Sequence, residues 1–193
     1  MTTHRLSRRA LAGGLAAASA GLVVARTALA APDAFLAADP SQGDGISHTA
    51  DAIHQEVVLG APRRRVWRAL TDSGAFDQVT RLSDAVPLLT APGAIRTDIS
   101  RDVGGPFVLF GGYITGRQIE LSPDERLVQV WRAASWGPGD FSLVKFALAE
   151  EGPGTRLVFD HTGFPAGTAL HLAQGWHSHY WEPLAKYLAQ EGR

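Results

Sequence analysis

The C-terminal segment, residues 168–190, most strongly limits the folds open to this chain, because it predicts a helix with a broad apolar face. At about 100° per residue, its large side chains fall within one arc about 180° wide; they are Leu172, Trp176, Tyr180, Trp181, Leu184, Tyr187 and Leu188. Such a face needs a wide concave partner, and a curved antiparallel sheet supplies one. Pro183 lacks a backbone donor, so we expect a bend in the helix after His179.

Residues 94–161 carry the pattern of that sheet. Apolar and polar residues alternate in short runs, and clusters of Gly and Pro separate the runs. The predicted strands span 95–101, 107–110, 113–121, 126–132, 142–149 and 155–161. Upstream, 53–59 predicts a first strand, Pro62 opens a helix, and a second short helix spans 74–79. The chain is therefore predicted to be an α+β protein with an antiparallel meander.

The N-terminal residues 1–30 predict a removable export signal of the twin-arginine type. Arg8 and Arg9 stand directly before an apolar, alanine-rich run over 10–24, and a small-residue cleavage site follows at 28–30. The run is too short, and too rich in Gly and Ala, to form a stable membrane-spanning helix. We therefore expect cleavage after Ala30, a flexible leader over 31–52, a domain over 53–193, and a periplasmic or secreted protein.

Charge and cysteine content exclude several classes of partner. Lys and Arg total 18 and Asp and Glu 19; because four of the arginines precede the cleavage site, the mature chain has a net charge of −5. A mildly acidic chain lacks the concentrated positive surface that nucleic acid requires. The absence of cysteine excludes disulfides, thiolate metal sites and a lipid anchor at the signal junction. We expect neither a nucleic-acid partner nor stable membrane insertion.

Several short motifs occur in the order found in one protein family. They are VWRALTD at 66–72, GGPF at 104–107, GGYITG at 111–116, LSP at 121–123, RLVQVW at 126–131, TGFP at 162–165, GWH at 175–177 and YWEPL at 180–184. Together they resemble the heat-shock-protein ATPase activator homologue-like family of the SRPBCC, or START-like, superfamily. The resemblance covers residues 53–189. It implies the helix-grip fold, a curved antiparallel sheet wrapped around a long C-terminal helix, with a cavity that commonly receives apolar or amphipathic small molecules.

Two histidines are predicted to face that cavity. His161 continues the alternation of Leu157 and Phe159 on the last strand, and His177 falls within the apolar arc of the C-terminal helix. Two interpretations remain open: the imidazoles orient a ligand or act as acid and base, or they are core histidines satisfied by backbone or water. No metal site is predicted, because His177 and His179 point about 160° apart on the helix.

Large rings are the candidates for the cavity wall, although most large rings serve burial before recognition. The predicted ligand-binding set is Trp131, Trp136, Phe141, Phe146, Phe159, His161, Phe164, Trp176, His177, Tyr180 and Trp181. No glycine-rich phosphate loop or dinucleotide motif is present in the sequence, so we expect no cofactor.

The predicted function is binding of a small apolar or amphipathic ligand between sheet and helix. Two alternatives remain. The first is a cofactor-independent cyclase or hydratase that uses His161 and His177. The second, which rests on the family resemblance, is a chaperone-like module that binds protein; an exposed apolar patch on the outer sheet face would favour it.

Overall fold

The computed structural model describes residues 51–190, which contain one seven-stranded antiparallel sheet. The strands lie in the order β1-β7-β6-β5-β4-β3-β2, so consecutive strands pair as hairpins and β1 returns beside β7. They are β1 (Ala52–Leu59), β2 (Asp98–Ile99), β3 (Pro106–Leu109), β4 (Ile114–Ser122), β5 (Arg126–Ala133), β6 (Ser142–Glu151) and β7 (Gly154–Thr162). The predicted meander is confirmed. The predicted signal and leader lie outside the described residues.

Alternation along the strands separates a buried inner face from an outer face. On β6, Ser142, Val144, Phe146 and Leu148 are buried, and the residues between them point outward. On β7 the buried positions include Leu157, Phe159 and His161, as the sequence pattern predicts. Because successive side chains of a strand point to opposite faces, the position of one buried residue determines which other side chains of that strand reach the core.

Five helices accompany the sheet: α1 (Arg63–Thr71), α2 (Ser73–Thr80), α3 (Val86–Thr90), α4 (Ala169–Trp176) and α5 (Glu182–Gln190). The Asp72 side chain caps α2 by accepting from the backbone N–H of Ala75 at 3.0 Å. The short α3 has no buried side chain and is missed by a search for apolar periodicity. The strand predicted over 95–101 shrinks to β2: after Ile99 the chain enters a turn in which the Gly105 N–H donates to Asp102 O, and before Asp98 the Ile95 N–H donates to Gly111 O beyond the end of β3.

A π turn at His177–Trp181 joins α4 and α5 into one helix that packs on the inner face of the sheet. The π turn is identified by the hydrogen bond from the backbone N–H of Glu182 to the carbonyl oxygen of His177, five residues earlier. Pro183 has no N–H to donate, so the extra residue is accommodated where the α-helical ladder is already interrupted. The irregularity predicted from Pro183 thus takes the form of a π turn. Within residues 51–190, none of the helices combines the length and apolar character that crossing a bilayer requires.

Candidate functional site

Aromatic rings fill most of the space expected to be hollow. The Trp176 ring lies 4.2 Å from the Tyr180 ring and 4.3 Å from the Phe159 ring between centroids. Phe159 in turn contacts Phe146 at 5.2 Å and Trp181 at 5.1 Å. All five are buried. Phe146, Phe159 and Trp181, predicted as ligand contacts, therefore lie in the packed core beneath the C-terminal helix.

His161 lies in this core, fully buried, with a partner on each ring nitrogen. The Trp176 Nε1–H donates to His161 Nδ1 at 3.0 Å, so the histidine proton sits on Nε2 and donates to Ser142 Oγ at 2.7 Å. The Ser142 hydroxyl then donates to the Trp131 carbonyl at 3.2 Å. In this relay of three hydrogen bonds, each hydrogen has one donor and one acceptor. Burial lowers the pKa of His161 to about 4, so the imidazole is neutral at pH 7.

The relay favours a structural role for His161. The prediction that it faces the interior is confirmed, but neither nitrogen has a free lone pair or proton for a substrate. Two further predicted ligand contacts, Phe164 and Trp136, pack against the His161 ring, with centroid distances of 4.9 and 6.5 Å.

Two members of the predicted set face solvent. His177 was expected inside, but its side chain is 64% exposed and lies 3.1 Å from Glu182. The π turn is the reason, since one extra residue rotates the later apolar residues by about 100° and leaves His177 outside the buried arc. Phe141 was expected at the cavity wall, but it precedes the inward-facing Ser142, points to the outer face and is 52% exposed. Both expectations were wrong.

The remaining interior space is a cavity of about 100 Å³ between α3, α4, the π turn and the sheet. Its wall includes Trp131, Trp176 and Tyr180 from the predicted set. It also includes side chains that the sequence analysis missed, among them Phe110, Tyr113, His171 and His179. His171 and Leu88 line the cavity and are exposed, so it reaches the surface beside them. A space of this size accepts a molecule of about one ring.

Three buried polar atoms in this wall lack a well-aligned hydrogen bond among the described residues. They are the indole Nε1 of Trp131, the hydroxyl of Tyr180 and Nδ1 of His179. Burial raises the pKa of Tyr180 well above its ordinary value, and the neighbouring Trp131 indole opposes part of that rise. The hydroxyl therefore stays protonated at neutral pH. An unpartnered buried donor costs about 1–3 kcal/mol.

An imidazole–carboxylate pair stands at the same cavity. His179 Nδ1 lies 2.7 Å from Asp84 Oδ1, but the two atoms are not aligned as a hydrogen bond; the imidazole is 38% exposed and the carboxylate 72% exposed. The Cδ2 edge of the His179 ring faces Gly175, which is also part of the wall. A Cβ atom at Gly175 would lie 3.7 Å from His179 Cδ2. Among residues 51–190, no group of three His, Cys, Asp or Glu side chains has the arrangement of a metal site.

The outer face of the sheet carries an exposed apolar patch, formed by Ile119, Phe141 and Leu143, whose exposed fractions are 46%, 52% and 44%. Arg117 and Arg132 flank it. Each donates to backbone carbonyl oxygens, and neither pairs with a carboxylate within the described chain. A groove of about 410 Å³ runs along this patch. A larger groove, of about 660 Å³, lies beside Trp67. Its Arg101 is paired with Asp72, so the charge of this arginine is already compensated.

Comparison with known proteins gives one consistent family. A profile of the family described as Activator of Hsp90 ATPase homolog 1-like protein matches residues 60–189. The Mus musculus protein named Activator of 90 kDa heat shock protein ATPase homolog 1 is 30% identical over 94 residues, which are 49% of this chain and 27% of the mouse protein. An uncharacterized Schizosaccharomyces pombe protein is 25% identical over 146 residues, 76% of this chain and 39% of that one. The chain thus matches well under half the length of these relatives.

Solved structures agree on the fold. An HSP90 activator from Plasmodium falciparum superposes with a TM-score of 0.59 at 23% identity, covering 73% of this chain and 96% of that one. Protein CV1439 from Chromobacterium violaceum superposes with a TM-score of 0.55 at 25% identity, covering 71% and 96%. Because the family profile spans most of the chain and the architecture is shared, the chain belongs to the Activator of Hsp90 ATPase homolog 1-like family and has its helix-grip fold.

Proposed function

We propose that this protein is exported and that its domain binds a small, ring-sized molecule carrying one oxygen acceptor. Export is supported by the twin arginines Arg8 and Arg9, the short apolar run after them and the cleavage site ending at Ala30. Binding is supported by the cavity of about 100 Å³ between α3, α4 and the sheet.

One observation carries the binding proposal: the Trp131 indole N–H and the Tyr180 hydroxyl are buried side by side in a mostly apolar wall, and neither makes a well-aligned hydrogen bond within the described chain. An acceptor oxygen on a ligand satisfies both donors, while its carbon ring occupies the apolar space. A hydrocarbon of equal size gains only the apolar contacts. The protein is therefore expected to prefer a ring with a carbonyl oxygen over the same ring without one.

The Tyr180→Phe variant tests this preference with cyclopentanone and cyclopentene as probes. We expect loss of the hydroxyl to weaken cyclopentanone binding about 5- to 10-fold, since one hydrogen bond contributes about 1 kcal/mol, and to leave cyclopentene binding unchanged. The measurement is the dissociation constant from NMR titration, followed at the Trp131 indole N–H. Folding stability should change little, because the hydroxyl makes no well-aligned hydrogen bond within the described chain.

Tyr113→Phe is the matched control for this experiment. Tyr113 lines the same cavity, but its hydroxyl is exposed and lies 3.0 Å from Ser135 Oγ. Its removal should leave the affinity for both probes unchanged. Equal weakening by the two variants, or no shift of the Trp131 resonance with either probe, would refute the proposed binding site.

A second candidate function is docking of a protein segment on the outer sheet face. The exposed Ile119, Phe141 and Leu143 favour it, and the uncompensated charges of Arg117 and Arg132 fit a partner that is both apolar and acidic. Relatives are named for activating a heat-shock ATPase, which is a protein partner. The occupant we propose is an extended segment that alternates apolar and acidic residues.

An eight-residue peptide alternating Leu and Glu is the probe for this surface. Phe141→Asp is expected to weaken its binding at least 10-fold, because it removes apolar contact area and adds a like charge. Leu170→Asp is the matched control, since Leu170 is 81% exposed and lies on α4. Fluorescence anisotropy of the labelled peptide measures both affinities. Equal effects of the two variants would show that the patch is not the docking surface.

A further inference from the structure

The turn Phe110–Gly112, which joins β3 to β4, adds a ring to the cavity wall that strand alternation alone would not place there. Successive side chains of a strand point to opposite faces, yet Leu109 and Phe110 are both buried. Phe110 reaches the inner face because its backbone leaves the strand in the left-handed conformation, with a φ of 51°. Gly111 and Gly112 follow with φ values of 71° and 99°. Three consecutive residues are therefore left-handed, and the first of them carries a large side chain.

The backbone of Phe110 is strained, whereas the two glycines that follow are not. Glycine adopts a positive φ without steric cost, but a residue with a Cβ does not. Such strain persists only where the surrounding structure holds the residue, and it is concentrated at functional sites. The Phe110 ring packs 5.7 Å from the Phe76 ring of α2, 5.4 Å from Tyr180 and 6.2 Å from His179 between centroids. The fold thus holds a strained backbone in place and keeps this ring beside the Tyr180 hydroxyl.

Backbone contacts prevent the turn from moving away from the cavity. A Cβ atom on Gly111 would overlap the carbonyl oxygen of Leu88 in α3, so the turn packs directly against that helix. The Ile95 N–H donates to Gly111 O at 3.0 Å, and the Tyr113 N–H donates to Phe110 O at 3.1 Å. A ligand in the cavity therefore meets the Phe110 ring as a rigid surface.

We propose that Phe110 is the residue that limits the size of the ligand. This inference rests on the proposed binding function. With the ring in place, the space measures about 100 Å³ and accepts about one ring. Without it, the cavity extends toward Phe76 and gains the space of a second ring, because a packed core closes only partly around a deleted side chain. The ligand class is then a ketone of one ring, and Phe110 excludes ketones of two fused rings.

A pair of ketones tests this inference on the full chain. 1-Indanone is cyclopentanone fused to a benzene ring, so the two probes share the carbonyl group and differ by one ring. The wild-type protein should bind cyclopentanone and reject 1-indanone. Phe110→Ala should raise the affinity for 1-indanone at least 10-fold, because the added benzene ring fills the vacated space and buries apolar surface. NMR titration followed at the Trp131 indole N–H measures both dissociation constants.

Phe107→Ala is the matched control for loss of a buried ring. Phe107 lies on the same strand and points to the same inner face, but it does not line the cavity. Its removal should leave the preference for cyclopentanone unchanged. Phe110→Gly is the second test variant, and it too should admit 1-indanone. It should also unfold at a higher urea concentration than Phe110→Ala, because glycine is the favoured residue at a positive φ.

The outcomes separate the size limit from the binding site itself. If neither ketone shifts the Trp131 resonance in any of these proteins, both proposals fail. If the wild type binds cyclopentanone but also binds 1-indanone as tightly as Phe110→Ala does, the binding site stands and the role of Phe110 is overturned. An equal gain in Phe107→Ala overturns that role as well. A gain confined to the two Phe110 variants supports both proposals.

Discussion

Replacing Arg8 and Arg9 together by lysine is expected to abolish export of this protein. Lysine preserves the positive charge before the apolar run, so a route that reads charge alone would tolerate the change. A twin-arginine route reads the arginine pair itself as an address and should leave the chain in the cytoplasm at its full precursor mass. The measurement is intact mass spectrometry of the periplasmic and cytoplasmic fractions, with N-terminal sequencing of the exported form.

The wild-type chain should yield a mature form that begins at Ala31. Arg5→Lys, which changes an arginine outside the pair, is the matched control and should be processed like the wild type. A periplasmic mature form from the Arg8→Lys/Arg9→Lys variant would rule out the twin-arginine route. Export would also bear on function, since the exported domain would meet small molecules and proteins outside the cytoplasm and would be separated from proteins inside it.

The sequence predicts the fold well because the fold depends on patterns that are local and repeated. The period-two alternation on β6 and β7 places Phe146, Phe159 and His161 on the inner face, where they are found. The apolar arc of the C-terminal helix requires a sheet beneath it. Errors occur at the ends of elements, where turns interrupt the pairing: the strand predicted over 95–101 is reduced to Asp98–Ile99.

The site is harder to predict because it depends on departures from those patterns. Helical periodicity places His177 inside, but the π turn before Pro183 rotates it to solvent. The same uniform-helix assumption set His179 aside, although it reaches the cavity and pairs with Asp84. Asp84 precedes α3, and α3 has no buried apolar stripe from which the sequence could predict the helix. A proline within an apolar helical run was the available signal, and it predicts an irregularity without giving its geometry.

Hydrogen-bond satisfaction separates the two kinds of buried polar group in this core. His161 resembles a catalytic residue in sequence, since it ends an apolar stripe, yet both of its nitrogens are engaged. Tyr180 resembles a core aromatic in sequence, yet its hydroxyl makes no well-aligned hydrogen bond among residues 51–190. Alternation and helical phase report burial, whereas partners across the core depend on tertiary structure. Burial alone therefore does not tell a binding group from a structural one.

Acidification from pH 6.5 to 4 is expected to destabilise the domain by about 3 kcal/mol through His161. Its pKa in the folded protein is about 4, below the ordinary value of 6.5. Between these pH values the unfolded chain binds a proton that the folded chain does not, so the free energy of unfolding falls as pH falls, by about 1.4 kcal/mol per unit. Above pH 6.5 the full contribution is present, and below pH 4 the slope ends.

The other groups with shifted pKa values act mainly outside the range from pH 5 to 6.5. Hydrogen bonding to Asp160 raises the pKa of the exposed His54, so its contribution is complete below 6.5 and is lost only as pH rises above that value. Asp72 accepts from the Ala75 N–H, and Asp160 from Lys145; the pKa of each carboxyl is thereby lowered below 3.8. Their contributions are lost in more acidic solution. Hydrogen bonding to Arg126 also lowers the pKa of Glu120 below its ordinary 4.5, so its contribution begins to be lost below that pH. The slope between pH 5 and 6.5 therefore belongs to His161.

Urea unfolding at half-unit pH steps measures the slope, and His161→Gln identifies its source. Glutamine keeps a donor and an acceptor but does not titrate, so the variant should lose the slope while unfolding at lower urea concentration at pH 7. His177→Gln changes an exposed imidazole and should retain the wild-type slope. If the slope persisted in His161→Gln, the protonation of a neutral, doubly hydrogen-bonded imidazole could not be what limits the fold in acid, and the structural assignment of the His161 relay would fail with it.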